Sequence, residues 1–502
     1  MSASRASLYE ILELHKEIEE NNETRKVSLV GKTVSFNYFE SVYSHDITAN
    51  LTFLDAGGSV KAKSEQDKQE RFTSIKSGLP IEGGEKLFFS IKTLMNAKMI
   101  YLFNKVKDAL NPTQALVDRA FNVVEGSTDS LISGTLSRRE ANDGFLRLAF
   151  LSDPLIVTGS PVVASESNRQ IVFLPLVSNP AIKNEQSLKE TKTYKGKISD
   201  SVRKILKDMD IKRFKIDKTS NDYDFTTQGR GNLDLITELC RRSVPEKGDA
   251  GYFFYETSKG LNFRSVSNLI KRRPVATYTY SGVMQSNLDN DSNNFRIIRD
   301  PVFIKDENFK DKKKWETTKN MFFNPLTGEY NELIYDAEEN PPEETMGKKT
   351  KFKGGRSRFK NNNKKDHGNT NYHILDIGTL EFDKLDPNND PRKWQAQSLV
   401  RYNSLHSQIM EIQIPCNVKL QAGENIRIEF ETQAESKSLG GLDEHRSGKY
   451  MILHLCHHFD TSRSFTSLTI ARDTNGLHTG SEDWFKWIQK IKLKKKVISV
   501  KI

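Results

Sequence analysis

The chain has 502 residues, of which 36% are hydrophobic and 28% charged, and its formal net charge is +10. This length predicts two to four domains, and no apolar run approaches the roughly 20 residues of a membrane span, so we expect no membrane contact. The first residues, MSASRAS, lack the apolar core of a signal peptide. Three scattered cysteines, Cys240, Cys416 and Cys456, indicate free thiols in a reducing compartment rather than a disulfide framework.

The N-terminal segment, residues 1–25, is predicted to form an amphipathic helix. Within it, Leu8, Ile11 and Leu12 fall on one face at helical spacing. This face would either pack on its own domain or dock on a neighbouring subunit, and the pattern leaves both alternatives open.

Residues 26–205 are predicted to form a first β domain. Val34, Phe36 and Tyr38 alternate as in a half-buried strand, and Gly84-Glu85 forms a turn before another strand. Residues 106–168 are ambiguous between helix and strand, and we interpret them as an insertion into this domain.

Residues 206–282 are predicted to form a small α+β module. A helical pattern ends near Cys240, and the aromatic run Tyr252 to Tyr255 then predicts a strand. A turn ending at Gly260 leads into a second strand of alternating residues, which together predict a hairpin.

Residues 283–478 are predicted to form a second β domain related to the first. Gly423-Glu424 repeats the Gly84-Glu85 pattern of a turn followed by a strand, which indicates a duplication. The basic loop 344–368 has no periodicity, and residues 348–365 contain nine Lys or Arg and no acid. A solvated loop is favoured here over contact with single-stranded DNA, although two phenylalanines lie among the charges.

No side-chain cluster predicts metal binding or catalysis. His454, Cys456 and His458 share one side of a strand, but the outer two lie too far apart for one ion, so a packed strand is favoured over a zinc site. We find no nucleophile elbow, HExxH motif or P-loop. We therefore predict a protein that is not an enzyme, with no catalytic, cofactor-binding or metal residues and no cofactor.

The C-terminal tail, residues 479–502, is predicted to bind a partner. Trp484, Trp487, Ile488 and Ile491 form one apolar face of a short helix. An exposed aromatic stripe at this position is typical of an interface, so we expect docking on a partner protein or a neighbouring subunit.

Several of these segments, in this order, resemble a known family. The segments are VSNPAIKNE followed by TYKGKISDSVRKIL, then GYFFYE with GLNFRSVSNLI, and SGKYMILHLCHHFD near the end. They resemble the central hub protein of the baseplate in contractile-tailed bacteriophages. The resemblance implies a mainly β fold with α+β parts, in which two related tube-like antiparallel β-barrels flank a small helix-plus-hairpin module.

The same resemblance implies a structural function. The hub would be a homotrimer whose six barrels form a pseudo-sixfold ring that joins the tail tube to the central spike. Its partners would be the tail-tube protein, the central spike protein and the baseplate wedge proteins. It would reside in the virion baseplate after assembly in the host cytoplasm. Two alternatives stay open: a spike or hub component of a phage-like secretion system, and a cell-wall hydrolase that acts during penetration.

Overall fold

A computed structural model of the chain describes residues 8–18, 23–55, 58, 60–63, 70–94, 145–166, 169–187, 190–227, 229–280, 296–306, 317–325, 327–337, 340, 342–347, 369–374, 391–431, 443 and 446–474. These residues form 24 strands, which join into one large sheet and several small ones. None of the described helices is long and apolar enough to cross a membrane.

The secondary structure is mainly β, and all the described α-helices except the first lie between residues 179 and 405. The strands of the first third are Leu8–Ile18 (β1), Glu23–Ser28 (β2), Thr33–Ser41 (β3), Thr48–Asp55 (β4), Val60–Lys63 (β5), Glu70–Thr73 (β6), Lys86–Leu94 (β7), Phe145–Val157 (β8), Val162–Glu166 (β9) and Arg169–Val177 (β10). The strands of the middle part are Thr193–Tyr194 (β11), Phe214–Ile216 (β12), Phe225–Thr226 (β13), Tyr252–Thr257 (β14) and Gly260–Ser265 (β15). The remaining strands are Ala276–Tyr280 (β16), Val302–Asp306 (β17), Thr317–Phe323 (β18), Tyr330–Asp336 (β19), Asn369–Ile374 (β20), Gln408–Pro415 (β21), Asn425–Phe430 (β22), Gly448–Asp460 (β23) and Ser464–Arg472 (β24). The α-helices are Ile75–Gly78 (α1), Asn179–Gln186 (α2), Ile198–Asp208 (α3), Asn232–Leu239 (α4), Val266–Lys271 (α5) and Pro391–Leu405 (α6).

The large sheet contains the same six-strand arrangement twice. The first copy has the strand order β3-β4-β10-β8-β7-β1, and the second copy has the order β17-β21-β24-β23-β22-β16. If the six strands of each copy are numbered 1 to 6 in chain order, both copies have the spatial order 2-3-6-5-4-1. All neighbouring strands are antiparallel except β16 and β22, which are parallel. The predicted class, mainly β with a small α+β module, is confirmed.

The register of the two copies also corresponds. Val157 pairs with Leu176 in the first copy, as Ile452 pairs with Ile470 in the second. Beyond Ile452, β23 passes one bulge and continues beside β24. Beyond Val157, the first copy breaks at residues 158–161 and continues as β9 beside β10. Strand β9 therefore occupies the place of the second half of β23.

The predicted N-terminal helix is wrong, because residues Leu8–Ile18 form strand β1. This strand pairs with β2 on one side and with β7 on the other. Leu12 is completely buried in the main core, while Ile11 is half-buried and Leu8 is 53% exposed. The three residues therefore do not form one docking face. The ladder hydrogen bonds to two neighbouring strands outweigh the weak helical pattern.

The prediction of an insertion over residues 106–168 also needs correction. Strand β8 begins at Phe145 and pairs with both β7 and β10, so it is an integral strand of the first copy. Its inward residues Leu146, Leu148 and Leu155 belong to the main hydrophobic core. The earlier part of the predicted insertion, up to residue 144, lies outside the described residues.

The central module is built on its own hydrophobic cluster. One face of α3, one face of α4 and the hairpin β14–β15 pack together around Phe254 and Phe263. The hairpin turn consists of Ser258 and Lys259, directly before Gly260. The predicted module extends too far, because Ala276–Tyr280 pairs with β22 of the second copy.

The start of the predicted basic loop is packed rather than solvated. Thr345 and Met346 are buried, and the N–H of Met346 donates to the Asp473 carboxylate at 2.9 Å. The N–H of Gly347 donates to Thr474 Oγ1 at 2.7 Å. Residues 348–368, which carry the basic charge, lie outside the described residues.

Candidate functional site: the junction between the two copies

The two copies meet edge to edge through strands β3 and β23. The antiparallel ladder runs from Ser41 opposite His454 to Ser35 opposite Asp460. On the inward face of this ladder, the rings of Tyr38 and His457 stack with centroids 5.9 Å apart. Burial lowers the pKa of His457 to about 3, so this imidazole is neutral and acts as a packing group. The contact joins different strands of the two copies and is therefore heterologous.

Glu40 connects three parts of the molecule at this junction. Its carboxylate accepts hydrogen bonds from the N–H of Ser258 at 2.7 Å and from the N–H of Ala422 at 2.9 Å. It also accepts a bond from the Tyr38 hydroxyl at 2.8 Å. Ser258 lies in the hairpin turn of the central module, and Ala422 precedes strand β22 of the second copy. One side chain of the first copy thus bonds to both other parts.

The Glu40 carboxyl is buried, with only 2% of the residue exposed. Loss of hydration disfavours the charged form and raises the pKa of Glu40 to about 7, although its three hydrogen-bond donors act in the opposite direction. The group therefore changes charge near neutral pH while it holds the junction together.

Glu256 makes the reciprocal contact from the hairpin back to the first copy. Its carboxylate accepts hydrogen bonds from the N–H of Ile47 at 3.1 Å and from the Ser178 hydroxyl. Burial raises the pKa of Glu256 to about 8. Two buried acids, one on each side of the contact, therefore attach the hairpin to the first copy.

The Gly-Glu turns occupy equivalent places, as the duplication predicts. In the first copy, the Gly84 N–H donates to the Val157 carbonyl and the Val157 N–H donates to the Glu85 carbonyl. In the second copy, Gly423 and Glu424 make the same two bonds with Ile452. The Glu85 carboxylate also accepts from the N–H three residues before it, as does the Glu424 carboxylate.

The hairpin fits closely against the second of these turns. Gly423 has a φ of +78°, and a Cβ there would lie 2.3 Å from the Tyr255 hydroxyl oxygen. The Gln421 side-chain amide donates to the Ser258 hydroxyl at 2.8 Å. The hairpin tip therefore fills the space between the copies, and only glycine allows this approach.

Helix α6 fixes the module to the second copy from another side. The Tyr252 N–H donates to the Tyr402 hydroxyl at 2.9 Å, and the Ala250 N–H donates to Gln397 at 3.0 Å. Arg401 is almost fully buried and forms an ion pair with Asp473 at 3.2 Å. Because a buried charge is costly without a partner, this pair fixes the helix at one position.

The predicted site residues have different outcomes. Trp484, Trp487, Ile488 and Ile491 lie outside the described residues, as does the basic stretch 348–365. No group of three or more metal-binding side chains is found among the residues that the structure describes. His454 and Cys456 line a groove of about 390 Å³ on the outer face of the sheet, and His458 contacts the Asn37 side chain.

Sequence reasoning missed Glu40, although a signal exists. Phe36, Tyr38 and Glu40 alternate along β3, so the strand pattern already places the carboxyl on the buried face. An acidic side chain on the buried face of a strand needs specific hydrogen-bond partners. Glu256 follows the aromatic run of β14 and has the same kind of buried position.

Comparisons with known proteins find distant structural neighbours. No family model matches the sequence, and no curated protein matches it. A tail protein from Neisseria meningitidis MC58 is 10% identical and covers 93% of this chain and 98% of its own, with a TM-score of 0.48. The 43 kDa tail protein of prophage MuSo2 from Shewanella oneidensis is 7% identical, covers 92% and 98%, and has a TM-score of 0.44. An E. coli component of the type VI secretion system is 9% identical, covers 89% and 75%, and has a TM-score of 0.36.

These neighbours are phage tail proteins and a secretion-system protein, the classes that the resemblance in the sequence indicated. Because all three TM-scores are below 0.5 and no identity exceeds 10%, we base the function on the duplicated topology and on the junction, not on these matches.

Proposed function

We propose that this chain is a structural phage tail protein, the central baseplate hub that joins the tail tube to the central spike. The observation that supports this most strongly is the duplicated six-strand unit. Two copies with the same strand order and equivalent Gly-Glu turns follow one another in one chain, as in an adapter between sixfold and threefold structures. Each copy would be one tube-like barrel of the ring.

The geometry of the junction favours a ring. A heterologous contact uses two different surfaces, so it repeats head to tail and closes only when the rotation completes a circle. Two copies per chain give a ring with an even number of copies, and three chains give six. A partner that contacts only the six copies of such a trimer meets a surface with approximate sixfold symmetry. A partner that contacts the three central modules meets a surface with threefold symmetry.

The partners follow from this symmetry. The tail-tube protein would stack on the pseudo-sixfold face, and the central spike protein would bind the threefold face. Baseplate wedge proteins would contact the outside of the ring. The protein would be located in the virion baseplate and would pass through the host cytoplasm during assembly.

A structural role without catalysis is part of the proposal. Both oxygens of Glu40 and Oε2 of Glu256 accept hydrogen bonds from backbone or hydroxyl donors, so these buried acids are bound to the protein itself. Release of soluble fragments from purified cell-wall sacculi, by protein free of lysozyme activity, would contradict this part and favour the hydrolase alternative.

The proposal is tested by the mass and symmetry of the assembled protein. We expect a particle with three times the 57.3 kDa mass of one chain, alone or after co-expression with its spike. Averaged electron micrographs should show six similar lobes with threefold symmetry. A monomer in the presence of the spike, or a closed twofold dimer, would overturn the hub assignment.

A further inference from the structure

Several strand edges of the large sheet have no neighbouring strand in the part of the chain that the structure describes, and those of β17 and β9 are among them. Strand β17 pairs only with β21 there, and strand β9 pairs only with β10. Such edges present unpaired N–H and C=O groups that can pair with another chain. Their apolar residues are exposed: Val162 by 67%, Val302 by 59% and Ile304 by 55%.

The two edges are the counterparts of the strands that join the copies. Strand β17 has the place in the second copy that β3 has in the first copy. Strand β9 has the place in the first copy that the second half of β23 has in the second copy. Within one chain, β3 pairs with this half of β23. The same contact can therefore form once more between β17 of one chain and β9 of another.

We propose that β17 of each subunit adds antiparallel to β9 of the next subunit and closes the ring proposed above, on which this inference rests. The occupant of each edge is thus a second copy of this chain. One continuous sheet would then pass through the intrachain and intersubunit junctions alternately.

The equivalence also specifies the register. Val302 pairs with Glu411 of β21, and Asn37 pairs with Asn50 of β4. Glu411 and Asn50 occupy equivalent positions in the two copies, as the β21–β24 and β4–β10 pairings show. Val302 is therefore the counterpart of Asn37. By the same comparison, Ala164 is the counterpart of His458.

Asn37 and His458 are opposite each other within the chain, so Val302 should be opposite Ala164 of the neighbouring subunit. The next pair inward should be Phe303 opposite Val163, the counterparts of Tyr38 and His457. Phe303 and Val163 already pack against the edge of the main core. The pairing would complete their burial, as the ladder does for Tyr38 and His457.

A disulfide experiment tests the register. Val302→Cys and Ala164→Cys are made in two separately tagged proteins, which are mixed, assembled and oxidised. Opposed residues of an antiparallel pair have Cα atoms about 4.5 to 5.5 Å apart, within the range that a disulfide can span. We expect a crosslinked band containing both tags, absent for each single variant and for the wild type.

Two control pairs separate register from folding. Val302→Cys with Val163→Cys should not crosslink, because neighbouring residues of a strand point to opposite faces. The double variant Asn37→Cys and His458→Cys should form a bond within one chain, assembled or not, because it is the same pair in the intrachain ladder.

A second variant tests the surface without new cysteines. Val302→Asp places a charge on an exposed residue that lies opposite Glu411, so the single chain should stay folded but unfold at a slightly lower temperature than the wild type. Partial burial of that charge in the ring, as its counterpart Asn37 is half-buried in the intrachain ladder, should raise the concentration for half-assembly roughly tenfold or more. The control is Ile334→Asp, which is 47% exposed on β19 and should leave assembly unchanged.

The outcomes separate this inference from the proposed function. A trimer that forms without the 302–164 crosslink, and that Val302→Asp does not weaken, overturns the β17–β9 pairing and leaves the hub function standing. A chain that stays monomeric with its spike overturns both. A crosslink together with a trimeric mass supports both.

Discussion

Replacing Glu40 with glutamine should change how stability depends on pH. In the wild type, burial raises the pKa of Glu40 from 4.5 to about 7. The folded protein therefore holds this proton more tightly than the unfolded chain does. The stabilisation from the bound proton is complete below pH 4.5 and is lost as the pH rises through 7.

The size of this effect follows from the shift. Between pH 4.5 and pH 8 the wild type should lose about 3 kcal/mol through this group, because one pKa unit corresponds to about 1.4 kcal/mol. The Glu40→Gln variant lacks the titration. Its side chain also has one acceptor oxygen instead of two, so either the Ser258 or the Ala422 N–H loses its partner. An unsatisfied buried donor lowers the free energy of unfolding by about 1 to 3 kcal/mol.

The two effects have opposite signs, and the pH decides which is larger. Near pH 4.5 the lost acceptor dominates, so the variant should be less stable than the wild type. Near pH 8 the wild type carries the cost of a buried charge, so the difference should shrink to zero or reverse. Urea unfolding of both proteins at several pH values measures this difference directly.

A matched control is Glu411→Gln, which makes the same substitution at an exposed position of β21, away from the junction. Glu256 is present in both proteins of the main comparison, so its own titration cancels. A Glu40→Gln difference that stays constant from pH 4.5 to pH 8 would show that Glu40 does not titrate in this range and would refute the reasoning.

Two further predictions concern the hairpin contact and the tail. Gly423→Ala should lower the free energy of unfolding by about 2 to 5 kcal/mol, since it adds a clash with Tyr255 to the strain of a positive φ. Gly84→Ala has the strain alone, with nothing within 4 Å of the new Cβ, and should cost about 1 to 2 kcal/mol. Equal losses in urea unfolding would contradict the contact. Deletion of residues 481–502 should leave melting temperature and trimer mass unchanged while it weakens binding to a baseplate wedge protein, as calorimetry would measure; unchanged affinity for every baseplate partner would refute this role.

The local features of the fold could be predicted from the sequence. The hairpin of the central module has an aromatic strand, a turn and Gly260 within a few residues, and all of these act locally. The repeated Gly-Glu turn was visible for the same reason. Each such turn needs a positive φ at its glycine, so the glycine in the sequence already indicates the turn.

The features that failed depend on distant parts of the chain. Residues 8–18 carry a helical spacing at Leu8, Ile11 and Leu12 and a strand spacing at Leu12 and Leu14. Pairing with β7, some 75 residues away, decides between them. Glu40 could be placed on a buried face, but its acceptor role depends on Ser258 and Ala422, which no local pattern connects to it.

The two kinds of junction should differ in strength, and the difference lies in the Gly-Glu turns. In the first copy, the Gly83 N–H already donates to the Glu85 carboxylate at 3.0 Å. The equivalent N–H in the second copy, that of Ala422, donates instead to Glu40 of the first copy. The second turn is thus completed across the intrachain junction, whereas the first is complete within itself.

In the proposed intersubunit junction, the equivalent N–H of Gly83 is already bonded within its own turn. This junction would therefore lack a counterpart of the hydrogen bond between Ala422 and Glu40. The module hairpin also fills only the intrachain junction, because the described part of each chain has one such hairpin for two copies. Both differences would make the proposed intersubunit contact the weaker of the two. A ring closed through β17 and β9 should come apart into folded chains at denaturant concentrations that leave the intrachain ladder intact, so that the subunit, rather than the single copy, is the unit that folds and assembles.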